Sequence, residues 1–384
     1  MQRLLSSDFK VGVLGGGQLG KMMAQAASRW DLALWVLDES RDFPAGPVCR
    51  YFAEGNFREY DDVLQFGRQV DVLTIEIESV NIEALFQLQQ EGITIHPRPE
   101  ALAIIQDKGL QKEFYRDHGL PTSAFSLWPD ETSIREAVRD GRLSLPFVQK
   151  VRKGGYDGRG VAVIQTAADL EKLLPGPSVV EDLVPIAKEL AVIAARNPSG
   201  QVVSFPAVEM VFNPEANLVE WLLCPAQIGP AIEQKAEEIA LATIEAFQIS
   251  GLLAVELFLT PDGEVLVNEV APRPHNSGHQ TIEGNYTSQF EQHLRGILDL
   301  PLGSTRIKAP SVMVNLLGEP GYDGPVQYAG FEKCIAIEGV FPHIYGKAIT
   351  KPYRKMGHVT IVDPDMQRAQ EKARIVQQTL KVIA

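Results

Sequence analysis

The chain has 384 residues, a hydrophobic content of 45% and a formal net charge of −13 at pH 7. This length suffices for two or three domains with cores of their own, and the hydrophobic content is ordinary for a soluble globular protein. The acidic balance argues against general binding to nucleic acid or to an anionic membrane, which requires a basic face, so any anion site must be a local basic pocket.

The chain also lacks the sequence signals of secretion, membrane insertion and disulfide or zinc staples. Residues 1–10 have no apolar signal core, and no long apolar span follows. The three cysteines, Cys49, Cys224 and Cys334, lie far apart with no CxxC spacing. Because they fit neither a disulfide framework nor a zinc site, we expect a reducing, cytoplasmic location.

Strands and helices are predicted to alternate in the first part of the chain, which ends near residue 105. The strands are expected at residues 10–14, 32–37, 70–77 and 92–96, with the first helix at residues 18–29. This alternation predicts an open, mainly parallel sheet with helices on its faces.

The middle of the chain mixes the two kinds of element differently. Helices are expected at residues 108–118 and 233–247, and strands at 147–150, 161–165, 178–181, 190–196, 252–259 and 264–270. The last two strands flank Pro261, Asp262 and Gly263, a strong hairpin turn. This order indicates an α+β domain, followed from residue 310 by a β-rich segment that ends in a helix over residues 365–382.

One short stretch, from Asn268 to His279, is unusually dense in polar groups. It ends a predicted strand in a carboxylate, and a turn with two prolines then presents Arg273, His275, Asn276, Ser277 and His279. That density suggests a site for a small, oxygen-rich anion. A zinc site at the two histidines is not expected, because no further soft ligand lies at suitable spacing.

Two glutamates, Glu256 and Glu269, lie on the two arms of the predicted hairpin and nearly opposite each other. Facing carboxylates repel unless a cation lies between them, and Mg²⁺ prefers hard oxygen ligands. Solvated glutamates are the alternative, but the apolar neighbours of Glu256 make solvation there unfavourable. The pair therefore predicts a metal site.

Two glycine-rich loops offer phosphate sites. Four glycines lie among charged residues from Lys153 to Gly160, after Lys150 on a strand; this backbone either closes over phosphates or forms a solvated hairpin tip. Gly15, Gly17 and Gly20 form a GxGxxG motif, and Asp38 ends the next strand. This second pattern is typical of a dinucleotide site but equally of a tight strand-to-helix turn.

Two further clusters complete the pattern. Lys351, Arg354, Lys355 and His358 form a basic patch that suits a phosphomonoester, or a solvated turn. Glu76 and Glu78 share one face at the end of a strand, which indicates a ligand crevice or an edge strand with one wet face.

Together these motifs resemble the ATP-grasp superfamily and, within it, the 5-(carboxyamino)imidazole ribonucleotide synthase family of purine biosynthesis. The match runs from the GGGQLGKM loop at Gly15 to the KPYRKMGH segment ending at His358, and residues 154–160 and 268–279 are its most specific pieces. The resemblance implies a Rossmann-like domain (residues 1–106), an ATP-grasp domain (107–308) with a mobile lid (121–187), a small β-rich C-terminal domain (309–384) and a homodimer.

By matching positions, the resemblance also implies roles for individual residues. ATP would contact Lys108, Lys150, Gly155, Tyr156, Asp157, Gly158, Arg159, Gly160, Val161, Glu181, Asp182, Leu183, Val184, Glu189, Asn268 and Glu269. Magnesium would lie at Glu256 and Glu269, and bicarbonate at the catalytic residues Arg273, His275 and Asn276. Aminoimidazole ribonucleotide would contact Gln18, Leu19, Glu78, Tyr156, Asp157, Arg159, Lys351, Arg354 and Lys355.

The implied chemistry is the ATP-dependent carboxylation of aminoimidazole ribonucleotide through carboxyphosphate, with release of ADP and phosphate. Bicarbonate is a poor electrophile, and phosphoryl transfer converts its hydroxide into a better leaving group. Catalysis would consist mostly of positioning and charge neutralisation, behind a lid that excludes water. Asp157, or alternatively His275, would take the proton of the attacking amine. The product would pass to a mutase.

Three positions depart from the family pattern. Lys108 stands where many relatives have Arg, Phe212 where some have a nucleotide-contacting His, and Ala271 where many ATP-grasp enzymes have Asn. The charge at position 108 survives without the bidentate fork, and a further metal oxygen would come from phosphate, water or another residue.

Three other functions stay open at this level. A formate-using glycinamide ribonucleotide transformylase would share the Arg-Pro-His turn, although Asn276 and Gln18 favour the carboxylating enzyme. A nicotinamide-dependent dehydrogenase would use the GxGxxG motif and Asp38, but would leave the Glu256 and Glu269 pair unexplained. A catalytically silent nucleotide sensor is the third, and the full set of charged residues argues against it.

Overall fold

The computed structural model describes residues 6–155, 160–213 and 218–384. Its N-terminal part alternates strands and helices, as predicted. The elements are β1 (Lys10–Leu14), α1 (Gln18–Ser28), β2 (Ala33–Asp38), β3 (Tyr51–Glu54), α2 (Tyr60–Gly67), β4 (Val72–Ile75), α3 (Ile82–Gln90), β5 (Thr94–Ile95) and α4 (Pro99–Ile105). All strand pairs in this sheet are parallel, in the order β3-β2-β1-β4-β5. Strand β3 was not predicted, and β4 is shorter than expected.

The middle part contains a small sheet and most of a large one. Its elements are α5 (Lys108–Asp117), β6 (Phe125–Trp128), α6 (Glu131–Arg139), β7 (Phe147–Val151), β8 (Val161–Ile164), β9 (Ser178–Asp182), β10 (Lys188–Arg196), β11 (Val202–Ser204), β12 (Val208–Asn213), β13 (Leu218–Cys224), α7 (Pro230–Phe247), β14 (Gly251–Leu259), β15 (Val265–Ala271), α8 (Thr281–Gly284) and α9 (Gln289–Ile297). The small antiparallel sheet has the order β6-β9-β7-β8.

The C-terminal part is β-rich, and three of its strands extend the large sheet. Its elements are β16 (Ser311–Leu317), β17 (Gly324–Pro325), β18 (Gln327–Ala329), α10 (Phe331–Ile335), β19 (Val340–Ile344), β20 (Ile349–Thr350), β21 (Lys355–Val362), α11 (Met366–Thr379) and β22 (Lys381–Ile383). The large sheet runs β15-β14-β10-β12-β13-β16-β21-β19. The prediction of a helix to residue 382 is wrong at its end, because residues 381–383 pair with β18 instead.

Helix α9 connects the parts of the molecule. Its Phe290 and Leu294 are buried in the same core as Met23 of α1 and Val13 of β1, and the helix also packs on β10 and β14. The N-terminal sheet is thereby held against the large sheet, so residues from both can face one cleft. No helix in the described ranges combines the length and apolar character needed to cross a bilayer.

Candidate active site

Two carboxylates face each other at the pairing of β14 and β15. Glu256 lies directly opposite Glu269, and a bulge follows between Glu256 and Leu257. The hairpin turn closes at Gly263, whose φ of +86° disfavours a side chain. Burial, and then the charge of Glu269, raise the pKa of Glu256. The predicted facing of the two carboxylates is confirmed, and their mutual repulsion makes the pair suitable for a cation.

Two lysines supply positive charge beside this pair. Lys108 donates a hydrogen bond to Glu269, and this carboxylate outweighs burial, so that the pKa of Lys108 is raised. Lys150 Nζ donates to Asn268 Oδ1 at 2.8 Å and lies 3.0 Å from Glu181 Oε1. Lysine ammonium groups fixed in this way suit the phosphates of a nucleotide.

Three further residues of this region, Gln111, Lys112 and Tyr115, were not predicted. A narrow pocket is lined by Lys108, Gln111, Lys112, Tyr115, Lys150, Glu181, Asn268 and Glu269. Lys112 is buried 3.1 Å from Glu181, and burial lowers its pKa to about 8. The signal was present in the spacing: positions i, i+3, i+4 and i+7 from Lys108 lie on one face of a helix.

Contacts at the N-terminus of α5 fix the position of the helix face that carries Lys108 and Lys112. Asp107 caps the helix by accepting from the backbone N–H of Gly109 and Leu110. Arg152 grips the same carboxylate through two bonds, of 2.7 and 2.9 Å. A Cβ at Gly109 would lie 2.6 Å from Arg152 Nε, so glycine is required for this approach. Lys108 is thus held at a rigid helix N-terminus beside the cleft.

The segment predicted to read a nucleotide begins at the end of β9. The Glu181 carboxylate is buried and is used by Lys112, Lys150 and Ser123, so at this position only the backbone of Glu181 can face a ligand. Glu189 lies on β10, and burial raises its pKa to about 6. This arrangement suits an adenine read by backbone groups and a ribose read by a carboxylate.

The glycine-rich loop of the small sheet is described only at its ends. Gly155 precedes the undescribed residues, and Gly160, with φ +81°, follows them immediately before β8 and Val161. A Cβ at Gly160 would lie 2.5 Å from Val151 Cγ2. The predicted site residues Tyr156, Asp157, Gly158 and Arg159 lie outside the described residues.

The turn after β15 meets both the carboxylate pair and the N-terminal part. Arg273 Nη2 lies 2.8 Å from Glu78 Oε1. His275 Nδ1 accepts from the Ser277 backbone N–H, so the neutral ring carries its proton on Nε2, 3.4 Å from Glu256 Oε1. Burial, and then the charge of Arg273, lower the pKa of His275 to about 3. Such a ring is a poor proton acceptor at neutral pH.

Asn276 is oriented by a second amide from the large sheet. Its Nδ2 donates to Asn315 Oδ1 at 2.9 Å, and Asn315 Nδ2 donates back at 3.1 Å. Asn315 Nδ2 also donates to the carbonyl of Val219, and this bond fixes the positions of the amide nitrogen and oxygen of Asn315. The Asn276 side chain is therefore held in one orientation.

The GxGxxG loop holds carboxylates of this chain, not phosphate. Glu76 accepts from the N–H groups of Gly17 and Gly20, both at 2.5 Å, and Asp38 accepts from Gly16 at 2.6 Å. The glycines allow this approach, since a Cβ at Gly15 or Gly17 would lie within 2.5 Å of Glu76 atoms. The dinucleotide interpretation is therefore not supported, because the donors that would hold a phosphate are occupied.

The same loop carries Gln18 and Leu19, the first residues of α1, next to the Glu76 contacts. Leu19 is buried. Lys21, one turn on, donates to the carbonyl groups of Ile344 and Tyr345 and ties α1 to the C-terminal part. The loop is thus a rigid wall of the cleft.

The four residues of the predicted basic patch in the C-terminal part differ in exposure. Lys351 and Arg354 are exposed, whereas Lys355 is half-buried. Burial raises the pKa of Glu256 and lowers that of His275; the charge of Lys355 opposes the first shift and adds to the second. His358 is fully buried, so it does not belong to this patch. Regular alternation does not explain the difference, because the pairing with β16 shifts between Lys355 and Gly357; His358 instead stacks on the rings of His279 and His343.

Comparison with known proteins agrees with this geometry. Family models match in three places: a ribonucleotide synthetase preATP-grasp domain at residues 9–106, an ATP-grasp domain at 113–290 and a phosphoribosylaminoimidazole carboxylase C-terminal domain at 311–372. The N5-carboxyaminoimidazole ribonucleotide synthase of Bacillus subtilis is 36% identical, over 92% of this chain and 91% of that protein. The chain belongs to the N5-carboxyaminoimidazole ribonucleotide synthase family.

Solved structures extend this likeness over the whole fold. The N5-carboxyaminoimidazole ribonucleotide synthetase from Thermotoga maritima has a TM-score of 0.90 and 44% identity, covering 98% of this chain and 99% of that one. The Aspergillus clavatus enzyme, solved with ADP and 5-aminoimidazole ribonucleotide, has a TM-score of 0.88 and 34% identity, covering 97% and 99%. The three-part architecture of this synthase family is that of the present chain.

Proposed function

We propose that this chain catalyses the ATP-dependent carboxylation of 5-aminoimidazole ribonucleotide by bicarbonate, giving N5-carboxyaminoimidazole ribonucleotide, ADP and phosphate in purine biosynthesis. One contact carries the proposal. His275 Nε2, from the turn after β15 (residues 272–279, the polar turn), lies 3.4 Å from Glu256 Oε1 of the carboxylate pair. The groups suited to a small anion therefore adjoin the groups suited to a triphosphate, as phosphoryl transfer between the two substrates requires.

On the ATP side, we assign the phosphates to Lys108, Lys150 and Asn268 and to the glycine-rich loop, which includes Gly155, Gly160 and Val161. Asn268 and Lys150 already share a hydrogen bond of 2.8 Å, so an incoming phosphate would find both oriented. The backbone of residues 181–184 would hold the adenine, and Glu189 the ribose. With a pKa near 6, Glu189 is mainly ionised at neutral pH and able to accept hydrogen bonds from ribose hydroxyls.

The carboxylate pair fits the Mg²⁺ that the family implies. Glu256 and Glu269 oppose each other across two strands, and carboxylate oxygens are the ligands Mg²⁺ prefers. Within the described residues no group of three or more His, Cys, Asp and Glu could hold a metal, so other ligands would be phosphate oxygens and water. When bound, Mg²⁺ neutralises charge on the phosphates.

On the bicarbonate side, Arg273 would hold the anion, with its guanidinium already fixed by Glu78, and Asn276 would donate a hydrogen bond to it. A bicarbonate oxygen attacks the γ-phosphorus and ADP leaves. The exocyclic amine then forms the C–N bond as the bond from carbon to the phosphate oxygen breaks, and the amine gives up a proton. We assign that proton to Asp157, because the low pKa of His275 makes it a poor acceptor.

The ribonucleotide would lie between the N-terminal loop and the C-terminal part. We assign it to Gln18, Leu19, Glu78, Tyr156, Arg159, Lys351, Arg354 and Lys355. The support is that Lys21 of α1 donates to the carbonyl groups of Ile344 and Tyr345 at the end of β19, the strand that pairs with β21. The homodimer, the cytoplasmic location, the domain limits at residues 106 and 308 with the lid between 121 and 187, and the link to a mutase rest on the family resemblance.

The proposal is tested by measuring ADP release with ATP and Mg²⁺ while bicarbonate, formate and 5-aminoimidazole ribonucleotide are each omitted in turn. ADP release should need bicarbonate and be fastest with the ribonucleotide present. Release that needs formate and ignores both of these substrates would instead indicate the glycinamide ribonucleotide transformylase.

A further inference from the structure

Gln289, the first residue of α9, hydrogen-bonds the backbone of the polar turn through both the oxygen and the nitrogen of its side-chain amide. Its Oε1 accepts from the His275 backbone N–H at 2.8 Å, and its Nε2 donates to the His275 carbonyl at 2.7 Å. Gln289 is fully buried, and its own N–H donates to Thr281 Oγ1 at 2.8 Å. The backbone that carries His275 and leads into Asn276 is therefore clamped from outside the turn.

His279 gives this clamp its direction. Its Nδ1 lies 3.1 Å from Gln289 Nε2, and because an amide nitrogen only donates, the ring nitrogen is the acceptor. The ring is 1% exposed and stacks on His358, with ring centroids 4.5 Å apart. Burial holds its pKa well below the ordinary value, so the acceptor lone pair persists at neutral pH. Rotating the Gln289 amide by half a turn would set its carbonyl against this nitrogen.

Close packing around the clamp leaves little room for another arrangement. A Cβ at Gly278 would lie 2.5 Å from Gln289 Oε1 and 2.3 Å from Ile193 Cδ1. Glycine is thus needed for the turn to reach the amide. The contacts depend on three segments that are distant in the chain: strand β10, the polar turn and helix α9.

We propose that Gln289 is a positioning residue for the carboxylation: its amide, oriented by His279, sets the backbone that places His275 and Asn276 at the bicarbonate site. The inference rests on the function proposed above and adds to it. Gln289 touches no substrate, so loss of its amide should act on the bicarbonate step and leave the nucleotide end of the cleft as it was.

The same helix offers a matched control. Gln292 is also fully buried, and it also makes a two-bond amide clamp: Nε2 donates to the Gly303 carbonyl at 3.1 Å, and Oε1 accepts from the Gly303 N–H at 2.8 Å. Gln289→Met and Gln292→Met therefore each delete a two-bond backbone clamp at the same burial from one helix, and Gln289→Met also removes the bond to His279. They differ in which backbone loses its clamp: that of His275 in Gln289→Met, and that of Gly303 in Gln292→Met.

The test compares ADP release, ADP affinity and thermal unfolding for both variants. Gln289→Met should lower kcat/KM for bicarbonate on the order of 10²-fold, because small misplacements of reacting groups are that costly. Its ADP affinity should stay within about twofold of wild type, whereas Gln292→Met should keep both constants despite a similar loss of thermal stability. Equal bicarbonate constants in the two variants, or a matching loss of ADP affinity in Gln289→Met, would overturn the positioning role.

His279→Phe provides a second variant if Gln289→Met does not fold. It keeps a stacking ring and removes both ring nitrogens, including the Nδ1 acceptor. A lower kcat/KM for bicarbonate at unchanged ADP affinity is expected; an unchanged value contradicts the inference. A wild-type chain whose ADP release needs no bicarbonate would refute the proposed function itself, and is thus a distinct outcome.

Discussion

At the scale of single residues, the cleft is defined by charges that the fold keeps close together. Glu256 and Glu269 oppose each other, and the nearest compensation is the Lys108 ammonium on Glu269. Lys112 and Lys150 share one buried carboxylate, that of Glu181. Unpaired charges at such positions would be costly, so each group is held by its neighbours until substrate arrives.

Glu269→Gln tests the carboxylate pair. The substitution keeps the shape of the side chain but removes the charge that faces Glu256 and bonds Lys108. We expect ATP-dependent ADP release to fall by about 10²-fold or more, in line with the loss of one preorganised electrostatic group. Steady-state ADP release at saturating bicarbonate measures it.

Glu264→Gln is the matched control for that variant. Glu264 lies just before β15 on the same hairpin, but its side chain is 61% exposed and pairs with the surface residue Lys235. Activity there should stay at the wild-type level. Equal effects of the two substitutions, or full activity in Glu269→Gln, would refute the assignment of Glu269 to the nucleotide and metal site.

At the scale of elements, the start of α1 shows how a glycine motif can serve packing instead of binding phosphate. Helix N-termini attract anions, and here the anion is Glu76 from the end of β4. The two bonds join the start of α1 to the end of β4, and Gln18 lies between the two glycines that they anchor. The same glycine motif can bind a phosphate or accept a carboxylate from its own chain, and the residue at the end of the neighbouring strand decides which.

Gly17→Ala tests this contact. Gly17 caps α1 with φ −75°, and a Cβ there would lie 2.5 Å from Glu76 Oε1. Glu76 or the loop must shift, which should cost about 1–3 kcal/mol of unfolding free energy. It should also raise KM for 5-aminoimidazole ribonucleotide more than KM for ATP, because Gln18 moves with the loop. Urea denaturation and initial rates measure the two effects.

Gly229→Ala isolates the contact from the general cost of alanine at a helix cap. Gly229 caps α7 with the same φ of −75°, and nothing lies within 4 Å of the Cβ position. Both variants share the capping cost, so their difference reports the clash alone. If Gly17→Ala were no more destabilising than Gly229→Ala, the Glu76 contact would not matter.

At the scale of the whole molecule, buried neutral histidines lie where its parts meet. His293 of α9 lies 2.9 Å from Thr74 Oγ1 of β4, across the junction between the two largest sheets. His279 of the polar turn stacks on His358 of β21. Burial is the largest cause of the lowered pKa of each ring, and the pKa of His293 is about 3.

This burial predicts loss of stability in acid. Below about pH 6.5 the unfolded chain protonates His293 and the native state does not, so stability falls by about 1.4 kcal/mol per pH unit down to the native pKa. Buried carboxyls with a raised pKa, such as Glu189, oppose this, because they bind protons in the native state first. The contribution of His293 is therefore best measured as a difference between two proteins.

The comparison is between wild type and His293→Gln, by urea denaturation at pH 7.5 and 5.5. The wild-type unfolding free energy should fall on acidification by about 1.4 kcal/mol more than that of the variant, which has no imidazole to protonate. Equal changes in the two proteins would show that His293 takes up its proton in the native state as readily as in the unfolded chain.

Much of the fold and part of the site could be predicted because they depend on neighbours in sequence. The hairpin turn at Pro261, Asp262 and Gly263 sets the pairing of the two arms as far as Leu257 opposite Val267, and places Glu256 within one residue of Glu269; the bulge that completes their pairing was not predicted. The cap at Asp107 starts α5, and helical spacing then puts Lys108 and Lys112 on one face. These features follow from local geometry, which the order of residues determines by itself.

The remaining features arise only from contacts between distant segments. The end of the last helix is replaced by a strand because residues 381–383 find a partner in β18. His358 is buried away from the basic patch because it stacks on His279. Gln289 acquires its grip on His275 because α9 packs beside the turn. Sequence by itself determined the residue types and their local spacing, whereas tertiary structure decided which buried donors and acceptors meet, because a buried polar group must find its partner wherever the packed chain provides one.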